Sequence, residues 1–389
     1  MHDTNDDYLN ARRAFLRTLS LGTGATLVGA SALARPLRWL AESPAADRKL
    51  GVALVGLGKY STGQLAPALQ QTQHCQLAGI VTGSLAKAAQ WKQQYSLPDN
   101  NIYDYKTFDR MIDNPDIDIV YVVLPNALHA EYVVRAAQAG KHVICEKPMA
   151  TSVADAQRMI AAMQKAGKKF SIGYRLHFEP HHREMMRLGQ QQAFGPVQHL
   201  WADNGFKFNN DTPWRVNKGL SGGGPLMDMG IYCLQGCLYT KGQLPVSVTA
   251  SFIPKTDPVL FKEVEAGVNW QLQFADGSVA DCRTSYAENM SSRLRAEASK
   301  GWAELAPSFG YGGIEGRTSQ GTMNIQNVNQ QAAQMDDFAL CVRNNQPTRV
   351  PGEMGLRDVQ LLEAIYRAAE TGQKISTKDV VAVFDKVNR

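Results

Sequence analysis

From Leu50 onward, short apolar segments alternate with helical stretches of about ten to fifteen residues. The segments are apolar at nearly every position, which is typical of strands in a parallel sheet whose two faces are both covered by helices. The alternation therefore predicts a doubly wound α/β domain of the Rossmann kind. The apolar segments that define it are 50–58, 75–83, 117–125, 141–148 and 168–175.

Beyond about residue 195 this alternation stops, and strand-like segments follow one another. The Asp276-Gly277 pair predicts a hairpin turn between two of them. Two helical patterns close the chain, near 331–344 and 355–372, and Gly372 predicts where the second one ends. We expect an α+β domain built on a mainly antiparallel sheet, with strands at 197–203, 246–253, 265–287 and 293–299.

The length of 389 residues favours two domains after a leader. We predict a dinucleotide-binding domain over 50–175 and a substrate-binding and oligomerisation domain over 176–389, whose last helices pack back on the first domain. With 20% charged residues, a net charge of +5 and no Lys/Arg block, the chain lacks the basic face of a nucleic-acid-binding protein.

Residues 1–34 have the order of a signal peptide. Arg12 and Arg13 precede a weakly apolar, glycine-rich stretch over 19–33, and small residues follow at the end. A membrane anchor is the alternative, but the stretch is shorter than the roughly 20 apolar residues that span a bilayer. Paired arginines predict a twin-arginine leader and periplasmic location, with no stable membrane insertion after export. Residues 35–49, which contain two prolines, predict an extended arm.

The six cysteines do not predict a disulfide framework, because a chain that folds before export does so in a reducing compartment. They do not predict a zinc site either, because the sequence has no CxxC pair and no HExxH motif. Cys75 and Cys145 fall in predicted strands. Cys233 and Cys237 are four residues apart on a predicted helix, where bridging is unfavourable. We interpret all six as thiols of the core and expect no metal.

The first strand runs into a glycine turn, residues 56–60, with the sequence Gly-Leu-Gly-Lys-Tyr. Glycines at 56 and 58 let the backbone approach a pyrophosphate, which the following helix N-terminus stabilises. Ser61 stands where the third glycine of GxGxxG is usual. The turn predicts a dinucleotide site formed by Gly56, Leu57, Gly58, Lys59 and Tyr60; the alternatives are a plain tight turn and, for Lys59 and Tyr60, side chains that face solvent.

The end of the second strand predicts the choice of cofactor. The stretch 81–87 contains no carboxylate to bind a ribose 2′-hydroxyl, whereas Ser84 and Lys87 offer donors that suit a 2′-phosphate. We therefore expect NADP. The alternative is that Ser84 caps the next helix and Lys87 is only solvated.

Polar motifs follow the later strands, at 124–129 (LPNALH), 146–148 (EKP) and 173–175 (GYR), and DMGIY lies at 228–232. In this order and spacing they resemble the Gfo/Idh/MocA oxidoreductases, and within that family the glucose–fructose oxidoreductase branch. The resemblance also extends to 139–155, 222–232 and 350–369. It implies an open-faced C-terminal sheet whose outer side makes subunit contacts, hence a homo-oligomer, and an arm at 35–49 that covers the cofactor or a neighbouring subunit.

The resemblance also implies which residues act. Oxidising a sugar hydroxyl needs a base, and we assign that role to Tyr232, with Lys147 as the neighbouring cation and Asp228 as the orienting carboxylate. The alternatives are a buried structural tyrosine, a surface lysine and a helix-capping aspartate. Further expected cofactor contacts are Leu124, Asn126, His129, Glu146, Lys147 and Arg175. Expected substrate contacts are Lys147, Arg175, Trp214, Arg215, Asp228, Tyr232 and Tyr286, with Tyr174 as a weaker suggestion.

The function implied is an NADP-dependent sugar oxidoreductase with a tightly bound cofactor. It would oxidise a glucose-like aldose at C1 to a lactone and reduce a fructose-like sugar to a polyol. One alternative is an aldose 1-dehydrogenase that releases NADPH at each turnover. The other is a noncatalytic NADP-binding protein.

Overall fold

The computed structural model describes residues 48–385. The leader predicted for 1–34 and nearly all of the arm predicted for 35–49 lie outside the described residues. Within 48–385, no helix combines the length and the apolar character needed to cross a membrane.

A six-stranded sheet forms the first half of the described chain, in the order β3-β2-β1-β4-β5-β6, with every pair parallel. This confirms the predicted doubly wound Rossmann architecture. The sequence pattern did not reveal the third strand, because it is only two residues long. The strands are β1 (Leu50–Val55), β2 (Cys75–Val81), β3 (Ile102–Tyr103), β4 (Ile119–Val122), β5 (His142–Cys145) and β6 (Phe170–Ile172).

Both faces of this sheet are covered, as the apolar character of β1 requires. Val52 and Leu54 pack on one side with Phe338 from a C-terminal helix. Ala53 and Val55, which point to the opposite side, belong to the other cluster. The helices of this half are Ser61–Leu65 (a π-helical turn), Ala66–Leu69, Leu85–Tyr95, His129–Gln138 and Val153–Lys165, with 3₁₀ turns at Asp99–Asn101, Phe108–Asp113 and Asn126–Leu128.

A nine-stranded sheet forms the second half, in the order β14-β13-β12-β11-β7-β10-β9-β8-β15. Its pairs are antiparallel except that β7 and β10 run parallel. The predicted hairpin is present, with Gly277 at φ +85° in its turn. The strands are β7 (Val197–Gly205), β8 (Ser247–Phe252), β9 (Gly267–Gln273), β10 (Val279–Ser285), β11 (Arg293–Ala298), β12 (Gly301–Leu305), β13 (Gly316–Thr318), β14 (Gly321–Thr322) and β15 (Ile375–Ser376).

Within the part of the chain that the structure describes, helices cover one face of the nine-stranded sheet. Leu200 and Ala202 of β7 are buried with Leu234 and Leu238 of the helix Ile231–Lys241. On the opposite face, a groove of about 710 Å³ is lined by polar residues and Trp201. The other helices of this half are Arg175–Phe178 (3₁₀), Pro180–Gln190, Pro213–Val216 (3₁₀), Lys218–Ser221, Leu226–Gly230 (a π-helical turn), Gln330–Arg343 and Gly352–Thr371.

All six cysteines are free thiols. Five are buried, but Cys341 is only half-buried, so the interpretation of all six as core residues is too broad. Cys341 lies in the last turn of the helix Gln330–Arg343, where the side chain reaches the Pro347 carbonyl at the surface (3.4 Å).

Candidate active site

The glycine turn has the geometry of a phosphate cradle. Gly56 has φ +94°, and a Cβ there would lie 2.4 Å from the Val123 carbonyl oxygen. Gly58 differs, because a Cβ there would meet nothing within 4 Å. Ser61 donates from Oγ to the Gly56 carbonyl (2.6 Å) and so closes the turn from inside. The turn is therefore packed tightly on the sheet and open at Gly58, where a diphosphate could approach the backbone.

The two residues expected to select NADP have different roles. Ser84 accepts a hydrogen bond from the Lys87 amide (3.3 Å) and caps the helix Leu85–Tyr95. This is the alternative role that the sequence analysis gave for Ser84. The Lys87 ammonium reaches back to the glycine turn and donates to the Leu57 carbonyl (2.8 Å). A cation therefore lies between the turn and the end of β2, where a ribose 2′-phosphate would lie.

Two residues of the LPNALH motif hold loops together. Asn126 donates to the Ser221 carbonyl (2.7 Å), which links this motif to the segment before Asp228. His129 is fully buried, with one ring nitrogen 2.9 Å from the Leu124 carbonyl and the other 2.9 Å from the Pro148 carbonyl. Burial lowers the pKa of His129, although both carbonyls favour its charged form. Both ring nitrogens of His129 are therefore used within the protein, and the side chain does not face an open pocket.

Glu146 also points into the protein. Its Oε1 accepts from the Tyr121 hydroxyl (2.7 Å) and its Oε2 from the Lys147 amide (3.2 Å). Burial raises the pKa of Glu146 above its ordinary value. A Cβ on residue 173 would lie 2.6 Å from the carboxylate, so the glycine at that position makes room for it. Glu146 thus fixes the backbone of Lys147.

Lys147 and Tyr232 meet at the carboxyl edge of the first sheet, as the sequence predicts. The Lys147 ammonium donates to the Asp228 carbonyl (2.6 Å) and to its Oδ1 (3.1 Å). The same ammonium lies 4.5 Å from the ring centroid of Tyr232. Burial lowers the pKa of Lys147, but the neighbouring Tyr232 and Asp228 side chains favour its charged form and outweigh burial, so the net shift is upward. The lysine is therefore held in its charged form.

Asp228 accepts hydrogen bonds from three side chains. Besides Lys147, Arg215 donates to its Oδ2 (2.6 Å), and the Tyr286 hydroxyl donates to the same oxygen (2.7 Å). Burial opposes the charged form of this carboxyl, but Arg215 and Lys147 lower its pKa far below the ordinary value. Asp228 makes no helix-capping hydrogen bond. It is an ionised carboxylate that positions Lys147, Arg215 and Tyr286.

Arg175 contacts Tyr232 and is almost fully buried (2% exposed). Its guanidinium carbon lies 5.0 Å from the ring centroid of Tyr232 and 4.6 Å from that of Tyr311. It also donates to the carbonyls of Phe309 (2.6 Å) and Gly310 (2.8 Å). Most of its donors are used within the protein, so Arg175 orders the residues around the site.

Tyr311 is a site residue that the sequence analysis missed. It is half-exposed and stacks near Tyr60 of the glycine turn, with ring centroids 5.7 Å apart. The only signal in the sequence is the run of glycines at 310, 312 and 313 around it. Tyr311 therefore connects the glycine turn to the Arg175–Tyr232 pair.

The remaining predicted residues lie around this cluster or away from it. Trp214 is half-buried beside Arg215, whose guanidinium carbon lies 5.8 Å from a Trp214 ring centroid. Lys59 is exposed and pairs with Asp211 (2.7 Å). Tyr174 is buried in the main hydrophobic cluster, away from the cleft.

A phenol with two cations beside its ring suits proton transfer. A phenolate formed on Tyr232 would be stabilised by Lys147 and Arg175, and the open glycine turn offers room for a dinucleotide. Within residues 48–385, no group of three or more His, Cys, Asp and Glu side chains could hold a metal ion. The residues present therefore fit hydride transfer to a dinucleotide with acid–base help from Tyr232.

Comparisons with known proteins match both halves. The family described as "Oxidoreductase family, NAD-binding Rossmann fold" matches residues 50–174, and "GFO/IDH/MocA C-terminal domain" matches 182–304. The crystal structure of an aldose-aldose oxidoreductase from Caulobacter crescentus, complexed with glycerol, is 43% identical with a TM-score of 0.82; the match covers 85% of this chain and 100% of that one.

Two curated relatives are more distant. A D-xylose 1-dehydrogenase [NADP(+)] from Haloarcula marismortui is 28% identical over 85% of this chain and 94% of its own length. A D-glucoside 3-dehydrogenase from Escherichia coli is 27% identical over 84% and 97%. These matches span nearly the whole length of each relative.

Proposed function

The chain belongs to the GFO/IDH/MocA family of oxidoreductases, and on that premise we propose that it oxidises an aldose at C1 and passes the hydride to a second sugar. It is an NADP-dependent enzyme that acts on CH–OH groups of sugars. The observation that carries the proposal is the joining of Lys147, Asp228 and Tyr232 into one partly buried cluster at the edge of the dinucleotide domain.

The cofactor assignment rests on this chain's own residues and on its relatives. The end of β2 carries Ser84 and the Lys87 ammonium and no carboxylate over 81–87, which favours a 2′-phosphate. The D-xylose 1-dehydrogenase relative carries NADP(+) in its name. When bound, NADP supplies the hydride acceptor for the C–H bond that is broken.

In the oxidative half-reaction, the C1 hydroxyl of an aldose loses its proton to the Tyr232 oxygen as the C1 hydride leaves. Lys147 and Arg175 beside the ring stabilise the negative charge of the tyrosine before it takes the proton. Asp228 keeps Lys147 in place. The product is a lactone, and Tyr232 now holds the proton.

In the reductive half-reaction, the same proton returns to the carbonyl oxygen of a second sugar while the hydride adds to its carbonyl carbon. Tyr232 acts as the acid, and the site regains its first state. The two half-reactions balance because each consumes what the other produces. We propose a fructose-like sugar as the acceptor, reduced to a polyol, with the cofactor staying bound between the two steps.

A second aldose is a further candidate for the acceptor. The neighbour from Caulobacter crescentus, 43% identical over its whole length, is named an aldose-aldose oxidoreductase. An aldose in its open-chain form also offers a carbonyl carbon that accepts hydride. This candidate leaves the roles of Tyr232 and Lys147 unchanged.

We further propose that the protein is exported to the periplasm by a twin-arginine route. Arg12 and Arg13, ahead of the apolar stretch, support this proposal. A chain exported after folding can carry its cofactor with it. We also propose a homo-oligomer that uses the open face of the nine-stranded sheet, where the polar groove around Trp201 lies.

The proposal is tested on protein purified without added cofactor. Absorbance near 340 nm is recorded after glucose is added, and then after fructose or a second aldose is added. A rise that the second sugar reverses supports the coupled reaction. A rise that needs added NADP and that no acceptor reverses would identify an aldose dehydrogenase, and no response to any sugar would contradict both enzyme functions. Fractionation with a reporter fused to residues 1–49, compared with an Arg12→Lys, Arg13→Lys variant, tests export.

A further inference from the structure

Lys59 and Tyr60 follow Gly58 directly, and each is held by a different loop of the second half of the protein. The Lys59 ammonium donates to the Asp211 carboxylate (2.7 Å) and to its carbonyl (3.3 Å). The Tyr60 ring lies beside that of Tyr311. The turn that would hold the diphosphate is thus bound to loops from outside its own domain.

The segment that carries Asp211, residues 206–217, has a second anchor. Four residues after Asp211, Arg215 donates to the Asp228 carboxylate (2.6 Å). One short segment therefore runs from the glycine turn to the Asp228 carboxylate. Each of its two side-chain anchors is an ion pair, Lys59 with Asp211 and Arg215 with Asp228, and at its start the Phe208 amide also donates to the Tyr286 carbonyl (2.8 Å).

We infer that segment 206–217 is a strap that retains the dinucleotide. A dinucleotide with its diphosphate at Gly58 and its nicotinamide near Tyr232 would extend between the two places where the strap is anchored. Its release requires the strap to separate from the glycine turn, and the Lys59–Asp211 pair opposes that separation. The inference rests on the proposed function only in taking NADP(H) as the ligand.

The Lys59–Asp211 pair is the anchor that opens more easily. Side-chain exposure is 71% for Lys59 and 50% for Asp211, against 30% for Arg215 and 15% for Asp228. An exposed ion pair is weakened by salt, whereas a largely buried one is much less affected. Dissociation of the cofactor should therefore accelerate as ionic strength rises.

A competing role for Lys59 is direct contact with the diphosphate. The two roles predict opposite effects for Asp211→Asn. If Asp211 secures the strap, its loss speeds cofactor release. If Lys59 serves the phosphate directly, the loss of Asp211 frees its ammonium, and release slows or stays the same.

The experiment uses the full chain loaded with NADPH. The loaded protein is mixed with excess NADP⁺, and the fall of NADPH fluorescence gives the dissociation rate. We expect Asp211→Asn and Lys59→Gln each to raise the rate about two- to fivefold, in keeping with one exposed ion pair. The matched control is Lys92→Gln, which removes the exposed Lys92–Asp99 pair away from the turn, and it should release NADPH at the wild-type rate.

A charge exchange completes the test. Lys59→Asp combined with Asp211→Lys should return the rate to near the wild-type value if the pair itself matters. The strap is contradicted if Asp211→Asn leaves the rate unchanged or lowers it, or if the exchange variant releases cofactor as fast as the single variants. The readout needs no turnover, so an enzyme that binds NADPH and fails to oxidise sugars would refute the proposed function and still test the strap.

Discussion

The guanidinium of Arg175 lies 5.0 Å from the ring centroid of Tyr232 and donates to the carbonyls of Phe309 and Gly310. One buried side chain thus both supplies positive charge to the tyrosine and holds the loop that carries Tyr311. The two effects can be separated by choosing the substituent.

We expect Arg175→Lys to keep much of the positive charge beside Tyr232 but to lose the hydrogen bonds that hold the loop carrying Tyr311. A lysine cannot reach two carbonyls in the way the guanidinium fork does. The Gly310 carbonyl keeps a second donor in Gln330 (3.2 Å), whereas the Phe309 carbonyl would be left unpaired, which costs about 1–3 kcal/mol of folding free energy. Denaturant unfolding should show this loss for Arg175→Lys and Arg175→Met alike, while kcat should fall further in Arg175→Met. Equal kcat values for the two variants would show that charge beside Tyr232 is unimportant.

Replacement of Tyr232 by Phe removes the proton carrier and leaves the ring. We expect kcat to fall about 10²- to 10⁴-fold, the usual contribution of general acid–base catalysis. NADPH binding, followed by fluorescence, should change little because the ring still packs near Phe309. Tyr95→Phe, a change at an exposed hydroxyl on the helix Leu85–Tyr95, is the control. A Tyr232→Phe variant with wild-type turnover would transfer the acid–base role to another group.

The sequence was sufficient to predict the strands that are long enough for a pattern of apolar residues to be visible in them. β1 and β2 were predicted because each contains a nearly continuous apolar run, and five consecutive residues of β1 and four of β2 are buried. β3, β13 and β14 have two or three residues each, so no alternation can develop in them. β12 begins at a glycine and is only partly buried, which hides its pattern.

The sequence also predicted the position of the site more accurately than the directions of its side chains. Lys147 follows a strand of the parallel sheet, and the ends of such strands share one edge, so its position could be predicted. Asp228 and Tyr232 lie in the turn Leu226–Gly230 and the helix Ile231–Lys241 of the second half, so their convergence with Lys147 was expected only from the family resemblance. The same rule placed His129 at that edge, but it says nothing about side-chain direction, and the ring turned inward to two carbonyls. Tyr311 could not be predicted because it lies in a glycine-rich loop, where apolar residues follow no repeating pattern.

Replacement of Asp228 by Asn should destabilise the protein near pH 7. It leaves Lys147 and Arg215 without their carboxylate, and breaking a buried ion pair costs about 3–5 kcal/mol. The folded-state pKa of Asp228 lies below its unfolded value of about 3.9. Its stabilising contribution is therefore present above that value and is lost as the pH falls toward the folded pKa.

The wild type and Asp228→Asn should consequently approach each other in stability below pH about 4. Thermal unfolding followed between pH 7 and pH 3 checks this. The variant should lack the part of the acid-induced loss of stability that comes from protonation of Asp228. Asp113→Asn is a suitable control, because Asp113 is exposed and lies outside the cluster. A gap between wild type and Asp228→Asn that stays constant over this range would contradict the ionised state of Asp228.

Replacement of Lys87 by Glu should turn the cofactor preference toward NAD. A carboxylate near the ribose repels a 2′-phosphate and can accept a hydrogen bond from a 2′-hydroxyl, whereas the lysine ammonium attracts the phosphate. Hydrogen bonds to charged groups contribute about 1.5–3 kcal/mol, so the dissociation constant for NADPH should rise by about one to two orders of magnitude. Fluorescence titration with NADPH and with NADH measures both preferences.

Lys87→Gln separates charge from hydrogen bonding in the same position. A glutamine can still donate to the Leu57 carbonyl, which Lys87 contacts at 2.8 Å, but it carries no positive charge. If the ammonium recognises the phosphate, Lys87→Gln should weaken NADPH binding and leave NADH binding unchanged. Equal weakening of both cofactors would show that Lys87 acts through the Leu57 carbonyl to shape the glycine turn, and recognition of the 2′-phosphate would then lie elsewhere.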